Sequence, residues 1–171
     1  MKPIKDLLGF SGHYHFEHMR EGAVIDAWDE SNLIPTEGLN FVLNVLSQSG
    51  TSKINTWYLA LGTGNYTVAA TDTGANIVGV GRSNETTLYD EATRVALVFP
   101  ASTAGSLTNT ASKATFTFNN TVTITNAFVV STSPKSDVTG TLLSSLKLGT
   151  SKSMIAADQL VVTFVLSASS V

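Results

Sequence analysis

The chain has 171 residues, room for one domain with a real core, and carries a formal net charge of −3 with its ten basic residues scattered. That balance excludes phosphate-backbone binding as a main role, which needs clustered Lys and Arg. With no cysteine there is no disulfide, thiolate catalyst or Cys-based zinc site, and no apolar run approaches the roughly 20 residues of a membrane span.

Hydrophobic residues make up 43% of the chain and charged residues only 13%, against about 25% in an average domain. Thr (23) and Ser (19) fill the difference. Thr is β-branched and suits a half-buried pleated surface, so the excess favours strands. The start, Met1-Lys2-Pro3-Ile4-Lys5-Asp6, lacks the apolar core of a secretory signal, so folding in a cytoplasm is expected.

Residues 1–12 read as a loose arm, because Gly9 and Gly12 interrupt any pattern. A β-hairpin follows. Tyr14, Phe16 and His18 alternate with His13, His15 and Glu17, Arg20-Glu21-Gly22 forms the turn, and Val24, Asp26 and Trp28 alternate with Ala23, Ile25 and Ala27 on the return. Arm and hairpin make one unit, 1–35, ahead of a β-rich domain, 36–171. That domain opens with the single helix signal, at about 36–48. Thr36 is placed to cap it and Glu37 puts negative charge in its first turn. Leu39, Val42, Leu43 and Leu46 follow helical spacing, Phe41 and Val45 add a second apolar face, and Ser49-Gly50 ends the helix. A helix apolar on most sides is expected to be buried against a sheet or a neighbouring subunit.

Beyond residue 54 the pattern is strands and loops. Trp57, Leu59 and Leu61 alternate, as do Val95, Leu97 and Phe99, and then Ala114, Phe116 and Phe118. Asn119-Asn120 suits a tight turn into Val122 and Ile124. Phe128-Val129-Val130 is a short apolar run, and Leu142 to Leu148 is a weaker strand. Leu160 to Leu166 is apolar on both faces and is expected at the centre of a sheet. The Gly62–Leu88 segment has weak periodicity and reads either as a contact surface or as a mobile excursion. The fold class is therefore mainly β: an antiparallel sandwich or barrel-like domain with one short helix.

Few residues carry chemistry in a usable pattern. His13, His15 and Glu17 share one face of a strand and are competent transition-metal ligands. The plainer reading, a polar face on an exposed hairpin, is preferred, since short motifs often match by chance. All three histidines lie in the hairpin and no Gly-x-Ser-x-Gly elbow is present, so no nucleophilic triad is expected. Gly62-Thr63-Gly64 lacks the ending of a phosphate loop and reads as a turn. The pairs Asp29/Glu30 and Asp90/Glu91 point to opposite faces of an extended chain and are not poised to share a proton. No enzyme activity and no cofactor are expected. Tyr14, Phe16, Trp28, Tyr66 and Tyr89 are the candidate contact residues, Tyr66 and Tyr89 flanking the long segment where they could meet a partner or a glycan.

Several segments together resemble a family of small structural proteins of tailed phages: Gly12-His13-Tyr14-His15-Phe16-Glu17, Trp28-Asp29-Glu30, Thr36-Glu37-Gly38-Leu39-Asn40, Thr56-Trp57-Tyr58-Leu59-Ala60-Leu61, Tyr89-Asp90-Glu91-Ala92-Thr93-Arg94, Ala111-Ser112-Lys113-Ala114-Thr115-Phe116 and Asp158 through Ser167. The resemblance covers nearly the whole chain and brings no catalytic signature. It implies a virion component made in a bacterial cytoplasm, plausibly a decoration (cement) protein on the outer head. Its partners would be the major capsid protein and further copies of itself, as a homotrimer or other ring, with no nucleic acid or membrane partner. A tail, fibre or adaptor protein with glycan contact is the alternative. The chain departs from the family pattern at Ile34-Pro35 and in a longer Gly62–Leu88 segment.

Overall fold

A computed structural model describes residues 8–170. The first strand, β1 (Leu8–Arg20), turns into β2 (Ala23–Ser31) through Glu21 and Gly22, both with positive φ (52° and 79°), the backbone a two-residue hairpin turn requires. Residues 8–12, expected as part of a loose arm, are strand. They pair with the chain's last strand from Leu8 opposite Ser170 onward. At position 12 the Asn32 side chain occupies the space that a Cβ would take. Residues 1–7 of the expected arm lie outside the described part.

Helix α1 (Thr36–Ser47) comes next, then β3 (Trp57–Gly62), the short α2 (Gly74–Ile77), β4 (Val95–Leu97), β5 (Ser106–Thr108), β6 (Ala114–Thr117), β7 (Val122–Val130), β8 (Leu142–Met154) and β9 (Gln159–Ser170). Two antiparallel sheets result. One runs β2-β1-β9, with β5 and β6 dividing the other edge of β9; the second runs β4-β3-β7-β8. As its two apolar faces predicted, β9 is central. The expected boundary at residue 35 runs through one sheet and one core, since β1 lies between β2 and β9.

The main core lies between the sheets. Tyr14, Phe16, Leu160, Val162 and Phe164 meet Leu59, Leu61, Ala127, Val129, Leu143 and Leu146. A second cluster covers the opposite face of the second sheet, where Ala60, Phe128, Val130 and Leu142 pack under Ile77 and Val78, with Tyr66 alongside. This explains the apolar run at 128–130. Val129 serves one core and its neighbours serve the other. Asn119-Asn120 carries the chain from one sheet to the other by a bend, and neither residue takes a positive φ.

The Gly62–Leu88 segment is tied down by side-chain hydrogen bonds. It folds back over the second sheet. The Asp72 carboxylate, fully buried, accepts from the Tyr66 hydroxyl (2.7 Å), the Ala69 amide (2.8 Å) and Arg82 Nη1 (2.8 Å). Gly62 closes β3 and bridges to Glu85. Side chains at Gly62 or Gly64 would strike the backbone of Arg82 and Ser83, so these glycines serve close chain approach. The segment is anchored by Arg94 and Glu85, both side chains fully buried. The guanidinium donates to both carboxylate oxygens (2.9 and 2.6 Å), to the Thr132 carbonyl and hydroxyl, and to the Asp137 carbonyl. Every lone donor of a buried Arg is costly, and here the planar fork is matched by acceptors from two loops.

Candidate interaction surface

The histidine face is assembled differently from the sequence expectation. His13 and His15 project from β1, and Asp29 on β2 lies directly opposite His15 in register. One Asp29 oxygen meets His13 Nε2 at 2.9 Å and His15 Nδ1 at 3.0 Å. The two imidazoles, His15 first, hold the Asp29 carboxyl below its ordinary range. Glu17 is drawn away to Lys113 (2.6 Å) and does not join them. No group of three His, Cys, Asp or Glu arranged to hold a metal occurs among the described residues. Asp29 is the member that pattern reading missed, because cross-strand register sets the contact and no spacing along one strand reveals it.

His18, on the opposite face of β1, is buried. Its Nε2 meets Asp158 Oδ2 at 2.7 Å. The Asp158 carboxylate also accepts from Arg20 Nε and Nη2, both at 2.8 Å, and from the Ile155 amide at 3.0 Å. Arg20 is the main cause holding this carboxyl far below the usual range. The cluster ties the hairpin turn to the β8–β9 connection. It is a brace, enclosed by protein, with 1% of Asp158 exposed.

Among the five expected contact residues, Tyr14, Phe16 and Tyr89 are core. Tyr14 stacks on Phe16 and donates to or accepts from Ser144 at 2.7 Å, and burial raises its phenol pKa. Tyr89 packs edge-on against Phe116 with Lys135 over its ring. Alternation identified Tyr14 and Phe16 as one face of a strand; that face points inward because β9 and the second sheet cover it. Trp28 is half-buried, stacked on Phe16 and topped by the Lys152 ammonium at 4.2 Å. Tyr66 is half-buried under Arg82. No open aromatic platform for a sugar results from these five.

Large apolar side chains are exposed elsewhere, and α1 gathers three of them. The helix begins after Pro35, in extended conformation, with no side-chain cap; Thr36 stands inside the first turn and does not fulfil the capping role expected of it. Glu37 turns inward and accepts from the Gly74 (2.8 Å) and Leu142 (2.6 Å) amides. Gly38 touches β8 so closely that a Cβ would sit 2.7 Å from the Leu143 carbonyl oxygen. Phe41 meets Trp57 edge-on at 5.4 Å between ring centres. The inward stripe is thus Gly38, Phe41, Val42 and Val45. The leucines of the expected helical spacing, Leu39, Leu43 and Leu46, are not buried against the sheet and face out, 37%, 53% and 74% exposed. The glycine decides this, since its bare backbone admits β8 on that side alone.

The strand β2 adds an outer sheet edge, with Val24 and Ile25 exposed near the hairpin tip. A bulge between His18 and Met19 shifts register there, so the simple alternation read through Val24 breaks at the tip. No helix among the described residues is long and apolar enough to cross a membrane. No protein-family model matches the chain, and no curated protein matches it in sequence.

Proposed function

We propose that the chain is a non-enzymatic structural protein of a tailed-phage virion, a decoration protein that binds the outer head lattice and stabilises it. The resemblance set out above supplies the setting. One observation carries the physical side. The groups able to do chemistry are engaged with one another, buried in the His18–Asp158 brace or paired on the surface at His13, His15 and Asp29, while large apolar side chains stand outside the fold. His18 and Asp158 brace the hairpin, His13 and His15 share Asp29, and α1 presents Leu39, Leu43 and Leu46 outward. Surface of this kind is gained by burial against other chains.

Partners in this reading are the major capsid protein and further copies of the chain, as a trimer. A partner that binds only the folded state stabilises it by mass action, and a repeating shell multiplies the effect. The test is quantitative mass spectrometry of purified particles. A copy number comparable with that of the major capsid protein supports decoration. A handful of copies per particle transfers the chain to the tail, and absence from particles rejects the virion reading.

A further inference from the structure

We infer that the outward leucine line of α1 is the surface through which copies of this chain contact one another. The inference takes its setting from the structural-protein reading above, and names the self-contact which that reading leaves unplaced.

Leu39, Leu43 and Leu46 stand at positions i, i+4 and i+7, which lie along one side of a helix. Other large exposed apolar residues, Val24, Ile25, Val80, Leu88, Val98, Val138 and Ile155, are dispersed over the hairpin tip, loops and turns. Among the described residues only α1 aligns three on one regular element. The helix is also held rigidly from behind, through the Glu37 carboxylate, the Gly38 contact with β8 and the Phe41–Trp57 pair. A pre-organised surface loses little conformational freedom on binding.

Charge selects the occupant. From Gly38 through Ser52 there is no ionisable side chain, and the Glu37 carboxylate is turned inward onto two amides. A partner face bearing Lys, Arg, Asp or Glu would have those charges stripped of water against leucine, with no outward charge on the helix itself to pair them. The fitting partner is uncharged and apolar. A second copy of α1 meets both conditions and is present at equal concentration. Under twofold or threefold symmetry Leu43 meets its own counterpart, with Leu39 and Leu46 completing the seam and Asn40 and Ser47 forming a polar rim. Three leucines make a small contact, so association of free chains is reversible. Anchoring on a lattice raises the effective concentration and makes it persistent.

The absence of cysteine gives a direct test. A Leu43→Cys variant is treated with a short thiol crosslinker beside a Val80→Cys control, whose site is 92% exposed and lies off the helix. The seam requires covalent pairs at position 43 to form more than about tenfold faster than at position 80. Equal rates at the two sites overturn it. In parallel, sedimentation of the unmodified chain across a concentration series should show reversible mass increase, weakened more than about tenfold by Leu43→Glu. Circular dichroism and melting of L43E should match the parent, because the site is on the surface. A parent chain that stays monomeric up to its solubility limit also overturns the seam. Particles lacking the chain, with crosslinking at position 43 intact, would reject the virion setting and leave the seam standing.

Discussion

The 62–94 excursion and α1 both pack around the second sheet, yet their polar and apolar groups are distributed in opposite ways. In the excursion three charged side chains, Asp72, Glu85 and Arg94, are buried and matched. Asp72 has three donors, and Glu85 and Arg94 meet as a fully buried pair whose spare donors reach Thr132 and Asp137. In α1 the one charge is turned inward onto amides and three leucines are left outside. The first arrangement completes a fold within one chain. The second leaves apolar surface that only another chain can remove from water. Size and loop-like composition would have assigned these roles the other way round.

The comparison breaks first at the buried pair. Arg94→Ala should destabilise the protein by about 3–5 kcal/mol, since it leaves the Glu85 carboxylate buried and unpaired. A double replacement, Glu85→Leu with Arg94→Met, should recover much of that loss, because the cost lies in the orphaned charge. Thermal or denaturant unfolding of the three proteins checks both points. A single variant as stable as the parent would show that the excursion is not locked as described.

The Asp158 brace comes next. Its carboxyl titrates lower in the folded protein than in the unfolded chain, so its contribution is present above about pH 4, the unfolded value, and is lost as pH falls toward the folded one. Asp158→Asn should cost about 1–3 kcal/mol at neutral pH and flatten the fall of stability between about pH 4 and pH 2. Parallel melting curves for parent and variant down that range would contradict the assignment.

On the α1 side, Leu43→Glu should leave the isolated fold within about 0.5 kcal/mol of the parent while removing self-association. The smallest effect is expected at the histidine face. His13→Ala with His15→Ala should barely change melting at pH 7, because the groups are exposed and screened, and should let the Asp29 carboxyl return toward its ordinary range. Proton titration by NMR reads the second effect; an unmoved Asp29 would show that the two imidazoles do not set it.

Much of the fold was legible where one physical rule acted alone. Alternation marked β3, β6 and β9, and the Arg20-Glu21-Gly22 turn marked the hairpin, because the pleat and positive φ leave local signatures. Gly9 and Gly12 hid the start of β1, since a glycine packed against the Asn32 side chain reads like one that breaks a strand. The far half of β8, Gly149 to Met154, is polar because it is largely exposed, and so it carried no apolar signal. The excursion was illegible for a different reason. Its order comes from side-chain bonds that no periodicity encodes, Glu85 with Arg94 nine residues on and Arg94 with Thr132, 38 residues beyond that. At α1 the leucine spacing was correct, but which face turns inward depended on Gly38 meeting β8. The exposed leucine line was therefore visible as a pattern and not as a place.

Amide hydrogen exchange on the free chain and on the chain bound in purified particles tests the central claim most directly. Burial of the outward face of α1 against other chains predicts new protection across residues 36–47, with the already closed 66–94 region changed little. New protection in 66–94 with none in the helix would contradict it.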